Sequence, residues 1–168
     1  MTPEQKAALD ASVYAGARSG FQYRYESIRV SDDSAARDQS DDNLAKLAAW
    51  LSEGEARDFL QAVTGDVAIA FADAQATAYA PGDFLTEHDD EVENKGRRAA
   101  YVLGLNPHWR MEWGGLLLFH NAPAWAEAWG PGFNTLNLFA VPQPHSVSLV
   151  TPSAAYRRYS VTGWLRSR

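Results

Sequence analysis

The sequence predicts a mainly β chain with helices at its N-terminal end and its strands arranged as a sandwich or jelly roll. Three observations carry this. Residues 1–75 are rich in Ala, Asp and Glu, whereas most of the Gly, Pro and Trp lies from about residue 76 onward. Helical spacing of apolar residues is confined to that first part. After Val67, short apolar segments recur at regular spacing with Gly and Pro between them, the pattern of a closed antiparallel β architecture.

Pro3 to Ala17 reads as a helix, with Leu9 and Val13 four apart and alanine throughout. Phe21 to Val30 alternates, Phe21, Tyr23 and Tyr25 on one face against Gln22, Arg24 and Glu26 on the other, as a strand does. Ser31 to Asp42 is polar and acidic and reads as an exposed loop. Asp42 is placed to cap a helix through Leu44, Leu47, Ala48 and Leu51 that Gly54 ends. Glu55 to Val63 forms another, with Phe59 and Leu60 turned inward and a stop near Gly65. The strands then follow as Gln75–Tyr79, a turn at Pro81-Gly82, Phe84–Asp90, Ala99–Leu105, Leu116–Phe119, Thr135–Val141, His145–Val150 and Arg158–Leu165. The helices are expected to pack on one sheet. Trp109, Trp113, Trp125 and Trp129 read as core and loop packing, and His108 and His120 as surface residues beside turns.

Composition removes several function classes. The chain has 168 residues, enough for one domain of ordinary size. With 46% hydrophobic and 21% charged residues it is globular rather than disordered. Fifteen Lys plus Arg against twenty-one Asp plus Glu leave a net charge of −6, which argues against a dedicated nucleic-acid binder. No apolar run is long enough for a membrane span, and the first residues lack the apolar stretch of a signal peptide. No cysteine is present, so disulfides, iron–sulfur clusters, thiolate zinc sites and cysteine nucleophiles are all excluded. A cytoplasmic location fits this. Any metal must be held by His, Asp or Glu.

Three constellations could carry chemistry. In His88-Asp89-Asp90, two-residue alternation on a strand would project His88 and Asp90 together, as two adjacent ligands of one metal or as part of an acidic surface turn. His145 heads an alternating face with Val147 and Leu149. A buried imidazole there needs a partner, either as a satisfied core histidine or as a third ligand. A His, Asp, His set with open positions is the facial triad of non-haem iron(II) oxygenases. Arg158 and Ser160 share a strand face. An arginine turned into a barrel calls for an anion, and a carboxylate is its natural bidentate guest; an exposed arginine on an edge strand is the alternative.

The order His-x-Asp, distal His, then Arg thirteen residues later resembles Fe(II)/2-oxoglutarate-dependent dioxygenases of the prolyl 4-hydroxylase superfamily. Within it the sequence looks closest to the branch that hydroxylates a proline of a ribosomal protein. The resemblance runs from about Thr77 to Trp164. Further matches are Tyr79, Pro81-Gly82, Leu85, Asp89, Glu91, Gly96-Arg97-Arg98, Leu105-Asn106-Pro107, Trp109, Gly114-Gly115, Phe133-Asn134, Phe139, Ser146-Val147 and the stretch Tyr159 to Trp164.

The resemblance implies a double-stranded β-helix, or jelly roll, in a single dioxygenase domain over 1–168, with 1–75 as mainly helical support and 76–168 as the catalytic core. It implies His88, Asp90 and His145 as Fe(II) ligands, and Arg158 with Ser160 beside it for the far carboxylate of 2-oxoglutarate. Tyr79 and Leu85 would line the same pocket. Ascorbate is the candidate reductant and dioxygen the oxidant. The products would be succinate, carbon dioxide and a hydroxylated protein or peptide, a ribosomal protein by resemblance, without direct contact to nucleic acid or membrane. One position departs. Where relatives carry a tyrosine that helps hold the far carboxylate, this chain has Gly104. Gly104 is expected to face the pocket, so that Gly104→Tyr would tighten binding. A small-molecule or free amino-acid hydroxylase of the same chemistry, or a non-catalytic jelly-roll binding module, are the competing readings.

Overall fold

The computed structural model describes residues 2–122 and 124–167. Four helices come first, interleaved with short strands: α1 (Pro3–Gly16), β1 (Tyr23–Arg24), β2 (Glu26–Arg29), α2 (Ser34–Asp38), α3 (Asn43–Ser52) and α4 (Gly54–Thr64). The strands β3 (Phe71–Ala72), β4 (Gln75–Tyr79), β5 (Phe84–His88), β6 (Arg97–Leu105), β7 (Leu117–Ala122), β8 (Trp125–Trp129), β9 (Phe133–Ala140), β10 (His145–Val147) and β11 (Arg158–Arg166) complete the chain. They form two antiparallel sheets, ordered β1-β5-β10-β7-β8 and β2-β4-β11-β6-β9, with β3 also on β11. This is the double-stranded β-helix. The first part of the chain is thus less purely helical than its composition suggests, since it supplies β1 to one sheet and β2 and β3 to the other.

The six-stranded sheet is buried on both faces at its centre, along β6 and β11. The side chains of one face, among them Tyr101, Val161 and Leu165, pack under Ala48 and Leu51 of α3 and Leu60 of α4. Its other face looks toward the second sheet, where Val102 and Phe139 meet Leu117 and Phe119. α3 and α4 therefore pack on the six-stranded sheet, but α1 does not join them: it lies against the other sheet, with Tyr14 stacked on Phe84 of β5 and Asp10 paired with Arg24 of β1.

Local capping closes several helix ends. Thr2 accepts from the Gln5 backbone N–H while the Gln5 side chain accepts from the Thr2 N–H, a reciprocal cap on α1. Asp42 caps α3 by accepting from Leu44 N at 2.9 Å. Asp42→Ala is expected to cost about 1 kcal/mol of stability, read by thermal unfolding. Gly65 closes α4 in the left-handed conformation, φ 71°.

Other elements differ from what the sequence predicts. Residues 31–42 are not a bare loop but hold α2, because Asp33 caps it and Arg37 reaches inward to the carbonyls of Ser31 and Ala72. Gly54 opens α4 rather than ending α3, whose last turn is closed at Glu53. Leu60 is buried but Phe59 is 57% exposed, because α4 presents only one narrow stripe to the sheet. The strand from His145 stops at Val147, and Leu149 is exposed while Val150 is buried. The tryptophans do not form one cluster: Trp109 and Trp113 meet edge to face, Trp129 packs on Phe119, and Trp125 is exposed on β8.

Candidate active site

His88 is the last residue of β5 and His145 the first of β10, and the two are directly paired across the sheet. Their ring centroids lie 4.1 Å apart. Asp90 joins them by a different route from the one alternation suggests. β5 ends at His88, and Asp90 sits in the following turn at φ 65°, a left-handed conformation unusual for a residue with a side chain. Arg97 holds that turn, donating from Nη1 to the Asp90 carbonyl at 2.8 Å while its guanidinium lies 3.5 Å from the Trp164 ring centroid.

The donor atoms face one another. Asp90 Oδ1 lies 3.3 Å from His88 Nε2, and Oδ2 lies 3.5 Å from His145 Nε2. One ligand atom from each of the three residues lies within 4.8 Å of the others. The two Nδ1 atoms point away, toward the carbonyls of Thr86 at 3.0 Å and Gln143 at 2.7 Å. Those carbonyls can only accept, so in the neutral ring each Nδ1 carries the proton, which leaves each Nε2 to offer its lone pair at the common centre. Carbonyl contacts of this kind fix the tautomer and orientation of metal-ligating imidazoles.

Charge is arranged to match. Burial disfavours the charged ring of His88, but the Asp90 carboxylate overrides it and raises the pKa. Burial lowers His145, and the neighbouring His88 adds to that. Burial would raise Asp90, yet the two histidines hold it below the usual carboxylate range. An ionised carboxylate beside an imidazole kept neutral is a donor set suited to a divalent cation.

The same cavity, about 470 Å³, is lined by His88, Asp90 and His145 and also by Tyr79, Leu85 and Arg158, within the usual size range for small-ligand sites. Arg158 is 2% exposed. Its Nη1 donates to Ser160 Oγ at 3.0 Å, its Nε is buried without a hydrogen-bond partner, and no carboxylate pairs with it among the described residues. Tyr79 lies alongside, its ring centroid 5.1 Å from the guanidinium carbon. Burial pushes the Tyr79 phenol well above its ordinary pKa, so it stays protonated. Ser160 does not line the cavity. It is shared between Arg158 and Thr77 Oγ1, at 2.8 Å, and so braces the arginine.

Gly104 does not line the cavity either. It pairs with Ser160 in register, but a Cβ built on it would overlap the carbonyl oxygen of Gly132, which comes in from the turn before β9. The space that the sequence suggested is filled by backbone. Leu85 does line it, through a bulge in β5 that alternation could not show. His120 lies inside β7, not beside a turn, hydrogen-bonded to Ser146 on one side of its ring and with the Glu87 carboxylate on the other.

Residues 74–166 match the family model described as the 2OG-Fe(II) oxygenase superfamily. No curated protein sequence matches the chain. Among solved structures, a prolyl-4-hydroxylase from Pseudomonas putida superposes with a TM-score of 0.67 at 21% identity, over 98% of this chain and 85% of that one. A prolyl hydroxylase from Trichoplax adhaerens, solved with a hypoxia inducible factor peptide fragment, gives 0.62 at 19%, over 95% and 79%. The viral collagen prolyl hydroxylase of Paramecium Bursaria Chlorella virus-1 gives 0.60 at 15%, over 98% and 90%. At these identities the likeness is one of fold, and it is the double-stranded β-helix described above. The family match spans every residue of the cavity discussed here from Tyr79 to Arg158. The chain belongs to the 2OG-Fe(II) oxygenase superfamily, whose chemistry takes Fe(II) and 2-oxoglutarate.

Proposed function

We propose that this protein is an Fe(II)- and 2-oxoglutarate-dependent dioxygenase, a single catalytic domain that hydroxylates a prolyl residue in a protein or peptide. The observation that carries the reading is the meeting, in one cavity, of a His-Asp-His donor set and a buried arginine with no carboxylate partner among the described residues. In it, His88, Asp90 and His145 hold the metal through Nε2, carboxylate and Nε2. Arg158 receives the far carboxylate of 2-oxoglutarate, steadied by Ser160, with Tyr79 and Leu85 as the walls beside it.

When bound, iron and 2-oxoglutarate supply the oxidising chemistry, with succinate and carbon dioxide as coproducts. The chain positions and shields. His88, Asp90 and His145 would hold the metal at the wall of the cavity. Arg158, desolvated and fixed by Ser160, is pre-organised for a carboxylate, so ordering it costs little on binding. Tyr79 and Tyr25 stack at 4.6 Å and line the cavity together.

The prolyl substrate draws support from the named activity of the structural neighbours and from the mouth of the cavity. Phe21, Tyr23 and Tyr25 form an aromatic strip there, Phe21 56% exposed and centred 5.6 Å from the His88 ring. Flat apolar faces suit a pyrrolidine ring, and the net charge of −6 suits a basic polypeptide such as a ribosomal protein. The proposed setting is cytoplasmic, in keeping with a chain without cysteine; among the described residues no helix is long and apolar enough to cross a membrane.

Anaerobic titration of Fe(II) and then 2-oxoglutarate is expected to produce the weak visible charge-transfer band of the chelate. Turnover with proline-containing basic peptides should then add one oxygen atom to the peptide, read by mass spectrometry. No band at saturating iron would sink the dioxygenase reading; a band and succinate without peptide oxidation would sink the prolyl one.

A further inference from the structure

The two strands that carry the histidines do not pair in simple register. His145 lies opposite His88, and Val147 lies opposite Leu85, so two residue steps on β10 span three on β5. This is a β-bulge, a device that re-aims side chains at the cost of local pairing. In a regular strand Leu85 and His88 would point to opposite faces. The bulge brings both to the cavity and leaves Glu87 exposed on the outside.

On that outer face, His120 reaches across from β7. Its Nε2 lies 2.8 Å from Ser146 Oγ, and its Nδ1 lies 3.6 Å from Glu87 Oε2. Its backbone N–H donates to the Pro144 carbonyl at 3.0 Å. The contact with Ser146 is a hydrogen bond, and the Glu87 carboxylate lies within ion-pair reach on the other side of the ring. Glu87 is the residue before His88, and Ser146 the residue after His145. One imidazole thus grips both sides of the bulge, back to back with the two ring nitrogens that face the centre.

We infer that His120 is a positioning residue, a clasp on the outer face of the five-stranded sheet that holds the bulge and thereby fixes the separation of His88 and His145. It acts through Glu87 and Ser146 and not by contact with the metal. The inference rests on the reading that His88, Asp90 and His145 bind a metal ion.

The test is a Co(II) titration of the metal-free protein, followed by visible absorption, for the unsubstituted chain and for His120→Ala, His120→Gln and Ser146→Ala. Thermal unfolding of each metal-free protein runs alongside. His120→Ala is expected to weaken Co(II) binding by about tenfold or more, in the range found when groups orienting metal ligands are lost, and to shift the ligand-field band. The glutamine amide can meet Ser146 where Nε2 did, so His120→Gln should recover much of the affinity. Ser146→Ala removes one arm of the clasp and should weaken binding to a smaller degree.

A folded His120→Ala protein with unchanged Co(II) affinity and spectrum, even if less heat-stable, would overturn the inference. If His120→Ala does not fold, Ser146→Ala decides: unchanged affinity overturns it and weakened affinity supports it. No Co(II) binding by the unsubstituted chain would instead bring down the metal reading, and the clasp with it.

Discussion

Arg158→Lys is expected to lower the affinity for 2-oxoglutarate by at least two orders of magnitude. The guanidinium is buried, one of its nitrogens is committed to Ser160, and Nε is left with nothing to bond. Donors left unsatisfied in a dry pocket are costly, and they become favourable only when an anion arrives. A planar fork matches a carboxylate with two parallel hydrogen bonds, whereas lysine offers a single strongly hydrated charge on a flexible stem. Loss of one partner from such a desolvated pair costs about 3–5 kcal/mol, which sets the expected drop. Calorimetric titration of 2-oxoglutarate into the anaerobic Fe(II) protein measures it. An unchanged affinity would show that another cation, such as the exposed Arg157, does the work.

The same burial makes a second, opposite statement about stability. Without its anion, Arg158 is an uncompensated buried charge, and burial lowers its pKa. Arg158→Met keeps the length of the side chain and removes the charge. It should raise the thermal midpoint of the ligand-free protein while abolishing the stabilisation that 2-oxoglutarate adds. A residue held for folding alone would move both quantities downward. Stability lost in the empty protein would therefore argue that Arg158 serves the fold and not the ligand.

The site's residues were more legible in the sequence than its geometry. His88, Asp90, His145 and Arg158 stand out because burying imidazole, carboxylate and guanidinium needs a reason, and their order along the chain supplied one. The alternation argument that joined His88 to Asp90, however, does not describe how they meet. β5 ends at His88, and Asp90 returns through a left-handed turn held by Arg97. A turn conformation of that kind at a residue with a side chain leaves little trace in the local pattern.

The bulge in β5 was equally hidden, because register depends on which strand lies opposite, and that strand is some sixty residues away in the chain. His120 looked like a surface residue for the same reason, its partners being brought to it by β5 and β10. The sequence predicts the helix ends where capping chemistry is local, at Asp42 and Gly65. It misses a helix where a long-range contact decides, as when Arg37 anchors α2 to the Ala72 carbonyl. β8 was missed although Trp125, Ala126, Glu127, Ala128 and Trp129 alternate. It is an edge strand paired with β7 alone, and its side chains are mostly exposed, so no buried face marks it.

Gly104→Tyr, which the sequence suggests should tighten 2-oxoglutarate binding, is expected to destabilise the fold by about 3 kcal/mol or more, at or beyond the upper end of ordinary overpacking costs. The glycine is not there for its backbone freedom, since its φ is not in the left-handed region. It is there for space. The first side-chain carbon would overlap the Gly132 carbonyl oxygen, and that oxygen is held by the Asn106 backbone N–H at 3.2 Å. Asn106 is in turn buried and bonded twice to Tyr159, through Tyr159 N at 2.7 Å and Tyr159 O at 2.8 Å. The obstacle is therefore anchored backbone and not a side chain that can swing aside. Gly104→Ala separates the two causes, because it carries the overlapping carbon without the phenol. Thermal unfolding should show most of the loss already in the alanine variant, with no gain in 2-oxoglutarate affinity for either protein. A tyrosine variant as stable as the unsubstituted chain, and binding 2-oxoglutarate more tightly, would mean that the Gly130–Gly132 turn yields and lets the phenol reach Arg158.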